Sequence, residues 1–347
     1  EARILILDEP TAVLTPQEAD SLFVTLRAMV TEGRTVIFIS HKLDEVMAVA
    51  DRVTVLRGGK TVGTVETVAT STRDLARLMV GRELVFDRIR RTNRVRDSAH
   101  HVLAVTSISA HDDGGKVALT DVTFAVGKGE IVGVAGVAGN GQRELAEVLG
   151  GMRTTISGSV HVLGENITAG NVRRSLKAGI AHIPEDRLHT GLAAGRSVED
   201  NLVLKSYRAR PISRFSVLQR GVIRRHATEV ILRYDVKTPD STTPVRLLSG
   251  GNVQKVLLAR EFGARPRVIV AASPTRGLDV GAIEGVRQRL IEAADSGVGV
   301  LLISEDLEEL LSLSDRILVM YEGRIIGDLP ADRADRESLG LLMGGVT

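Results

Sequence analysis

The sequence predicts an α/β fold in which parallel β-sheets carry helices on their faces, and three observations support this. Short apolar runs rich in Val and Ile alternate with longer helical patterns. A long segment of the chain occurs twice, and one apolar run leads directly into a cluster of glycines. Strands that alternate with helices are typical of parallel sheets, because a helix joins each strand to the next.

The N-terminal elements follow one another in this alternating order. Strands are predicted at 4–7, 36–39 and 53–56, and helices at 17–31 and 42–49. The strands are short and rich in β-branched residues, whereas the helical segments are longer. We therefore expect one parallel sheet in this part of the chain.

A segment near the N-terminus recurs 264 positions later without a gap. Pro10-Thr11, for example, returns as Pro274-Thr275. A repeat of this length is a domain, so the chain is predicted to be a tandem protein. The second copy is predicted to begin near Val102. With equal copies, about 160 residues of the first would lie upstream of Glu1, and we expect that copy to be truncated.

Three segments are predicted: the C-terminal part of a first domain at 1–81, a linker at 82–101 and a second domain at 102–347. The linker is polar and basic without a sustained period, so its charge indicates solvation. Residues at about 193–250 are rich in helix formers and predict a helical subdomain. Its basic residues, which include Lys205, indicate a solvated face, with a partner contact as the alternative.

Composition excludes several classes of protein. The 347 residues, 43% of them hydrophobic, can build ordinary globular cores. A net charge of +2 gives no footprint for nucleic acid, and the absence of cysteine excludes thiol chemistry and thiolate metal sites. There is no run of about 18 apolar residues, so no membrane span is expected, and no export signal is visible.

A glycine-rich segment follows an apolar strand and precedes a helical pattern that starts at Glu144. This context suits a phosphate-binding loop, in which backbone N–H groups surround an anion at a helix N-terminus. Such loops usually end in Gly-Lys-Ser/Thr, whose side chains neutralise phosphate and hold Mg²⁺, but here Gln142 and Arg143 take those places. We expect nucleotide binding with poor hydrolysis, and a plain strand-to-helix turn is the alternative. The candidate residues are Gly136, Gly139, Asn140, Gly141, Gln142 and Arg143.

A second motif, Leu248-Ser249-Gly250-Gly251-Asn252, removes that ambiguity. With the glycine loop upstream and Pro274-Thr275-Arg276-Gly277-Leu278-Asp279 downstream, it resembles the ATP-binding-cassette (ABC) family, whose signature is Leu-Ser-Gly-Gly-Gln or a variant. The resemblance implies a P-loop (RecA-like) core with an antiparallel β subdomain and a helical subdomain, preceded by a partial first cassette. It also implies that Ser249, Gly250 and Gly251 cradle the γ-phosphate held by an opposite cassette.

The resemblance also assigns roles in the first copy. Asp8 and Glu9 end an apolar strand and match the Walker B motif, in which Asp8 holds Mg²⁺ through water and Glu9 polarises the attacking water. His41 matches the switch histidine that contacts the γ-phosphate. The alternatives are a helix N-cap for Asp8-Glu9 and a structural role for His41.

The second copy lacks these groups. Ala272 has no metal-binding atom, and Ser273 is no base at neutral pH. Glu305 would repel phosphate where His41 attracts it. Glu185 stands where the family carries its Q-loop glutamine. The second core is therefore predicted to be catalytically degenerate.

Cassettes of this family pair head to tail, so the resemblance implies two unequal sites. The competent site would combine Asp8, Glu9 and His41 with the signature Ser249–Gly251. The first-copy phosphate loop would belong to the upstream portion, so this chain alone is expected to have little or no ATPase activity.

The resemblance implies the ATPase subunit of a bacterial importer that uses ATP and Mg²⁺ at the cytoplasmic face of the cell membrane. Its partners would be two transmembrane permease subunits and, through them, a solute-binding lipoprotein. The combination of Ala272-Ser273, Gly139–Gln142 and Gly277–Glu284 resembles the nucleoside importers of this family, so the resemblance implies nucleosides as the solute, with ribose- or galactose-type sugars as the alternative. A ribosome- or DNA-directed tandem cassette is disfavoured by the short linker. An inactive nucleotide-binding or scaffold fragment is the third class.

Overall fold

The structure is a computed structural model that describes residues 2–11, 16–40, 42–57, 59–80, 97–168 and 170–345. The chain divides into two compact units. Unit 1 is Glu1–Asp87 with Gly277–Gly285, and unit 2 is Arg88–Arg276 with Val286–Thr347. Within the described ranges, every helix is too short or too polar to span a bilayer.

Unit 1 alternates strands and helices, and its predicted elements are confirmed to within one or two residues. Parallel strands β1 and β2 form one sheet, and antiparallel β3 and β4 form another. The elements are β1 (Ile4–Asp8), α1 (Pro16–Thr31), β2 (Thr35–Ile39), α2 (Leu43–Val49), β3 (Arg52–Arg57), β4 (Lys60–Glu66) and α3 (Thr72–Val80). A small core joins α2, α3 and β3, and its buried members are Leu43, Val46, Val55, Leu75 and Ala76.

The prediction of a single parallel sheet is wrong for β3. In the described residues β3 pairs with β4, which the sequence reading did not predict. Gly59 has a positive φ of 74°, and a tight turn here leaves no length for a crossover helix between the strands. The two strands therefore form a hairpin.

Unit 2 is built on a six-stranded sheet of order β10-β13-β14-β7-β15-β16, in which only the edge strand β16 is antiparallel. All five residues of β7 are buried, as expected for a parallel strand covered on both faces. The strands are β7 (Ile131–Ala135), β10 (Ile180–Ile183), β13 (Val268–Ala272), β14 (Gly299–Ile303), β15 (Arg316–Tyr321) and β16 (Arg324–Pro330).

A second, antiparallel sheet of order β6-β5-β8-β9 accompanies the first. Its strands are β5 (Asp97–His111), β6 (Val117–Lys128), β8 (Ser157–Val162) and β9 (Glu165–Asn166). β5 begins before the predicted end of the linker at residue 101. The backbones of Asp97 and His101 pair with Lys128 and Gly127, because β6 is long enough to provide partners there.

One helix links the two sheets of unit 2. Helix α4 (Gln142–Gly150) contacts β5 and β6 on one side and β10 and β13 on the other. Its Leu145 and Leu149 are fully buried in the main hydrophobic core. The α/β class with an added antiparallel sheet is thereby confirmed for this unit.

The region near 193–250 contains helices α6 (Val198–Val203) and α7 (Arg220–Arg233), with a short hairpin between them. The hairpin strands are β11 (Ser213–Arg214) and β12 (Val217–Leu218). Helix α8 (Gly250–Gly263) follows and packs against α6 and β10. The remaining helices are α5 (Val172–Ala178), α9 (Val280–Asp295), α10 (Leu307–Leu313) and α11 (Arg336–Met343).

The sequence repeat is also a repeat of backbone pairing. β1 and β2 have the register of β13 and β14, and β3 and β4 have the register of β15 and β16, each at an offset of 264 residues. Both hairpins even shift register at the same place, after Val55 and after Val319. The matched partners are Ile4 and Thr35 with Val268 and Gly299, and Arg52 and Glu66 with Arg316 and Pro330.

Candidate functional site

The glycine loop of unit 2 runs from the end of β7 to the start of α4. Gly141 caps the helix with a φ of 101°, and a Cβ there would lie 2.7 Å from the carbonyl oxygen of Ala118. Gly139 also has a positive φ, of 86°. Only glycine adopts such a conformation without strain, so the sequence sets this turn and leaves the N-terminus of α4 open to an anion.

Gln142, which stands at the usual lysine position, is folded back over the loop. Its Nε2 donates to the carbonyl oxygen of Val137 at 2.9 Å, and Asn140 Nδ2 donates to the same oxygen at 3.0 Å. Asn140 Oδ1 in turn accepts from the backbone N–H of Glu322 at 2.7 Å. Both side chains therefore hold the loop in shape, and neither brings a positive charge to it.

Arg143, which stands at the usual Ser/Thr position, is held by carboxylates. Its Nε lies 2.8 Å from Glu147 Oε1 and its Nη2 lies 3.1 Å from Asp113 Oδ2. Arg153 Nη2 binds the same two side chains at 2.6 Å. The hydrogen bond that Arg143 donates to Glu147 raises the pKa of Arg143, and the hydrogen bond that Arg153 donates to Asp113 lowers the pKa of Asp113. A compensated guanidinium thus replaces the hydroxyl that would bind Mg²⁺.

A cavity of about 1080 Å³ opens beside this loop. It brings together the loop, the segment after β10 and the ends of β13 and β14. Residues singled out from the sequence that line it are Gly139, Gly141, Gln142, Arg143, Glu185, Ala272, Ser273 and Glu305. The carboxyl ends of parallel strands meet at one edge of a sheet, which is why residues so far apart in sequence share one cavity.

Glu185 is committed to an ion pair inside this cavity. Its carboxylate binds the guanidinium of Arg276. Arg187 donates to the carbonyl oxygen of Arg276, and burial lowers the pKa of Arg187. The segment after β10 is therefore tied to the loop after β13, and these cations are already engaged.

The end of β13 contributes little chemistry. Ala272 offers only a methyl group, and Ser273 follows it with a positive φ of 42° and donates its N–H to the carbonyl oxygen of Ile303 at 2.7 Å. In the part of the chain that the structure describes, no three His, Cys, Asp or Glu side chains are grouped to hold a metal ion. With Ala272 and Arg143 at the ligand positions, Mg²⁺ does not fit this loop.

The equivalent loop of unit 1 carries the acidic pair. Glu9 has a positive φ of 44°, and its N–H donates to the carbonyl oxygen of Ile39 at 2.9 Å, which repeats the geometry of Ser273. Asp8 is exposed at the end of β1. Mg²⁺ is commonly held by one or two carboxylates with water and substrate phosphates, so Asp8 fits that role. His41 lies outside the described residues.

The signature motif begins α8. Ser249 and Gly250 are exposed, and Asn252 Nδ2 donates to Ser249 Oγ at 2.8 Å. None of these residues lines the cavity beside the glycine loop, so the structure does not bring the signature to the glycine loop of its own unit. Gln254, further along the helix, donates to the carbonyl oxygen of Pro274 at 2.9 Å.

A buried polar cluster was missed by the sequence reading. The fully buried Glu261 of α8 accepts from the backbone N–H of His182 at 3.0 Å, from Arg260 Nε at 2.9 Å and from the ammonium group of Lys205. For Lys205 the prediction of a solvated face is therefore wrong. Burial lowers the pKa of His182 to about 4. A histidine within the apolar strand 180–183 was the one available signal.

Comparisons with known proteins agree on one family. The family model described as ABC transporter matches residues 119–276. The chain is 47% identical to the glucose import ATP-binding protein TsgD13 of Haloferax volcanii, over 99% of this chain and 62% of that protein. It is 46% identical to the guanosine import ATP-binding protein NupO of Bacillus subtilis, over 100% of this chain and 67% of that protein. The chain thus spans about two thirds of the length of these relatives.

Solved structures support the fold. A structure titled as the ATP binding subunit of an ABC transporter aligns with a TM-score of 0.58 and 22% identity. The alignment includes 70% of this chain and 99% of the chain in that structure. At this level of identity the likeness concerns the fold alone.

Proposed function

The chain belongs to the ABC transporter family, and we propose from this that it serves as the ATP-binding part of a membrane importer. Members of this family use ATP with Mg²⁺. The observation that carries the proposal is identity of 38 to 47% with import ATP-binding proteins along 97 to 100% of the chain. ATP hydrolysis would energise solute uptake, and the chain itself would not touch the solute.

We propose that residues 1–81 are the C-terminal part of a first cassette and that residues 102–347 are a second. The repeated register supports this. Exposure adds a second argument, because Ile4 and Ile6 of β1 are 60% and 64% exposed, whereas the matching Val268 and Val270 are 0% exposed. Apolar strands normally bury such residues.

Unit 2 indicates what would join the sheets of unit 1 and cover these residues. There β7 lies between β14 and β15, and the helix α4 that follows it contacts β13, whereas in unit 1 the matching strands β2 and β3 belong to separate sheets. A further strand with its own phosphate loop and helix, equivalent to β7 and α4, would join the two sheets and cover Ile4 and Ile6. The sequence contains no complete Gly-x-x-x-x-Gly-Lys-Ser/Thr motif, so we propose that this strand comes from polypeptide beyond these residues and that the chain alone hydrolyses little ATP.

The two cassettes would have unequal roles. Asp8, Glu9 and His41 provide metal binding, water activation and phosphate contact in the first. The loop of the second provides a phosphate cradle without lysine or metal ligands, so it would hold nucleotide with little hydrolysis. That the signature residues 249–251 complete the site of Asp8, Glu9 and His41 stays a prediction from the family pattern.

We propose nucleosides as the solute, and sugars as the second candidate. Relatives are named for guanosine import at 46% identity and for nucleoside import at 40%, which supports the first. The relative named for glucose import at 47% supports the second. The partners would be two permease subunits and, through them, a solute-binding lipoprotein. The ATP-binding part would then lie at the cytoplasmic face of the membrane.

Reconstitution tests this proposal. The assembled transporter, with permease and lipoprotein, is placed in vesicles with ATP and Mg²⁺, and uptake of labelled guanosine is compared with uptake of labelled glucose. We expect ATP-dependent uptake that unlabelled nucleosides inhibit. Inhibition by glucose alone would support the sugar candidate, and hydrolysis without any associated permease would contradict the importer function.

A further inference from the structure

A glutamate carboxylate occupies the same place in both units, partly buried in unit 1 and fully buried in unit 2. In unit 1, Glu45 of α2 accepts from Thr11 Oγ1 at 2.6 Å and from Ser40 Oγ at 3.4 Å. In unit 2, Glu309 of α10 accepts from Thr275 Oγ1 and from Ser304 Oγ, each at 2.7 Å. All three residues of each set are related by the offset of 264. The chain therefore builds the same three-residue clamp twice.

The clamp joins two segments that leave the sheet side by side. Thr11 lies two residues after Glu9, and Ser40 immediately precedes His41 in the sequence. The carboxylate of Glu45 thus holds the end of β1 against the end of β2, where the N–H of Glu9 already bonds to Ile39. A hydrogen bond to a carboxylate that is paired with a cation, as Glu45 is with Lys42, is stronger than one between neutral groups, so this contact resists separation of the two ends.

The surroundings of the two carboxylates differ. Lys42 Nζ lies 3.0 Å from Glu45 Oε1 and compensates its charge, whereas Asp306 stands at the matching position of unit 2 and caps α10. Burial raises the pKa of Glu309, whose side chain is fully buried. Only the clamp of unit 1 stands next to an acidic pair.

We propose that Glu45 is a positioning residue for ATP hydrolysis, because its carboxylate fixes the loop of Glu9 relative to the segment that leads to His41. This inference rests on the proposed function. Glu45 acts through the placement of Glu9 and not by contact with the reacting atoms. Glu309 performs the same structural task beside Ser273, where no such chemistry is expected.

Matched variants separate positioning from folding. In the assembled transporter, Glu45→Ala is expected to lower kcat about 10- to 100-fold with KM nearly unchanged, because only the chemical step needs the alignment. Glu45→Gln is expected to restore kcat in part, since both hydroxyls bond to one oxygen, which an amide retains, while its NH2 group replaces the oxygen that binds Lys42. Glu309→Ala should lower the melting temperature and leave kcat within about twofold.

Two results would overturn the inference: an unchanged kcat for Glu45→Ala, or an equal loss of kcat for Glu309→Ala, which would make the clamp purely structural. Absence of ATP hydrolysis in the wild-type transporter would instead refute the proposed function.

Hydrogen exchange of the 347-residue chain provides a second readout that needs no activity. Thr11→Val removes one hydrogen bond of the clamp with little change of shape. We expect about tenfold faster exchange of the Glu9 amide, with the amide of the buried Leu75 unaffected. Equal exchange rates of the Glu9 amide in wild type and Thr11→Val would contradict the clamp.

Discussion

The loops that follow β1 and β13 have nearly the same backbone and different side chains. Glu9 and Ser273 share a positive φ of 44° and 42° and the same backbone hydrogen bond to the neighbouring strand. Asp8-Glu9 stands where β1 meets its loop, and Ala272-Ser273 stands where β13 meets its loop. The comparison teaches that the backbone of such a loop is separable from its chemistry, because the turn depends on backbone pairing and the clamp, whereas the metal binding and water activation proposed for unit 1 would depend on two side chains.

The largest expected effect comes from removing the acid that has no counterpart in unit 2. Glu9→Gln in the assembled transporter should lower kcat for ATP about 100-fold or more, because the amide cannot polarise the attacking water. Steady-state ATP hydrolysis measures this. Ser273→Ala is the matched control and should leave kcat unchanged; a comparable loss there would mean that both loops catalyse.

Acid should act differently on the two units. The folded state lowers the pKa of His182 to about 4 from 6.5, so it favours the neutral ring. The stability linked to this group is complete above pH 6.5 and is lost as the pH falls toward 4, by up to about 3 kcal/mol. The sequence of unit 1 has one histidine, His41, which lies outside the described residues, so the prediction of an acid-dependent loss of stability concerns unit 2.

Urea unfolding of wild type and His182→Gln between pH 7 and pH 4, followed by hydrogen exchange in unit 2, measures this effect. The free energy of unfolding of the wild type relative to His182→Gln should fall as the pH decreases from 6.5 toward 4. A difference independent of pH would show that burial does not control His182.

A smaller effect, a gain of Mg²⁺-dependent ATP binding, would show whether unit 2 lacks only the side chains that bind Mg²⁺ and phosphate. The triple change Gln142→Lys, Arg143→Ser and Ala272→Asp supplies a phosphate-binding ammonium and two Mg²⁺ ligands. Affinity for ATP should become Mg²⁺-dependent and rise about tenfold in Mg²⁺ relative to EDTA, as measured by equilibrium binding to the 347-residue chain. Arg143→Ala alone should confer no Mg²⁺ dependence. A triple variant indifferent to Mg²⁺ would mean that the scaffold itself has diverged.

Local patterns predicted much of the fold. The elements predicted for residues 4–56 of unit 1 were placed to within one or two residues, because apolar periodicity is a property of neighbouring residues, whereas β4 and α3 were not predicted. The antiparallel pairing of β3 with β4 was missed, since strand direction depends on a turn and not on the apolar run. The glycine loop was recognised because positive φ angles restrict the residue type at each position.

The pairings within the candidate site were beyond the sequence. Arg143 was expected to remove a metal ligand, but its ion pairs with Glu147 and Asp113 appear only in three dimensions. Glu261 receives hydrogen bonds from residues 56 and 79 positions away. Long-range partners of this kind leave no periodic signal, because many surface carboxylates have the same local surroundings.

The sequence by itself determined the family, the repeat at 264 residues and the loss of the lysine, the metal ligand and the acid from the second copy, because residue identity sets which charges and hydrogen bonds are available. Only the tertiary structure decided how those groups are used. It closed Gln142 over its own loop, compensated Arg143 with carboxylates and placed Glu45 and Glu309 across strand ends. The physical reason is that charge and hydrogen-bonding capacity belong to a residue, whereas a partner within about 3 Å is supplied by the folded chain.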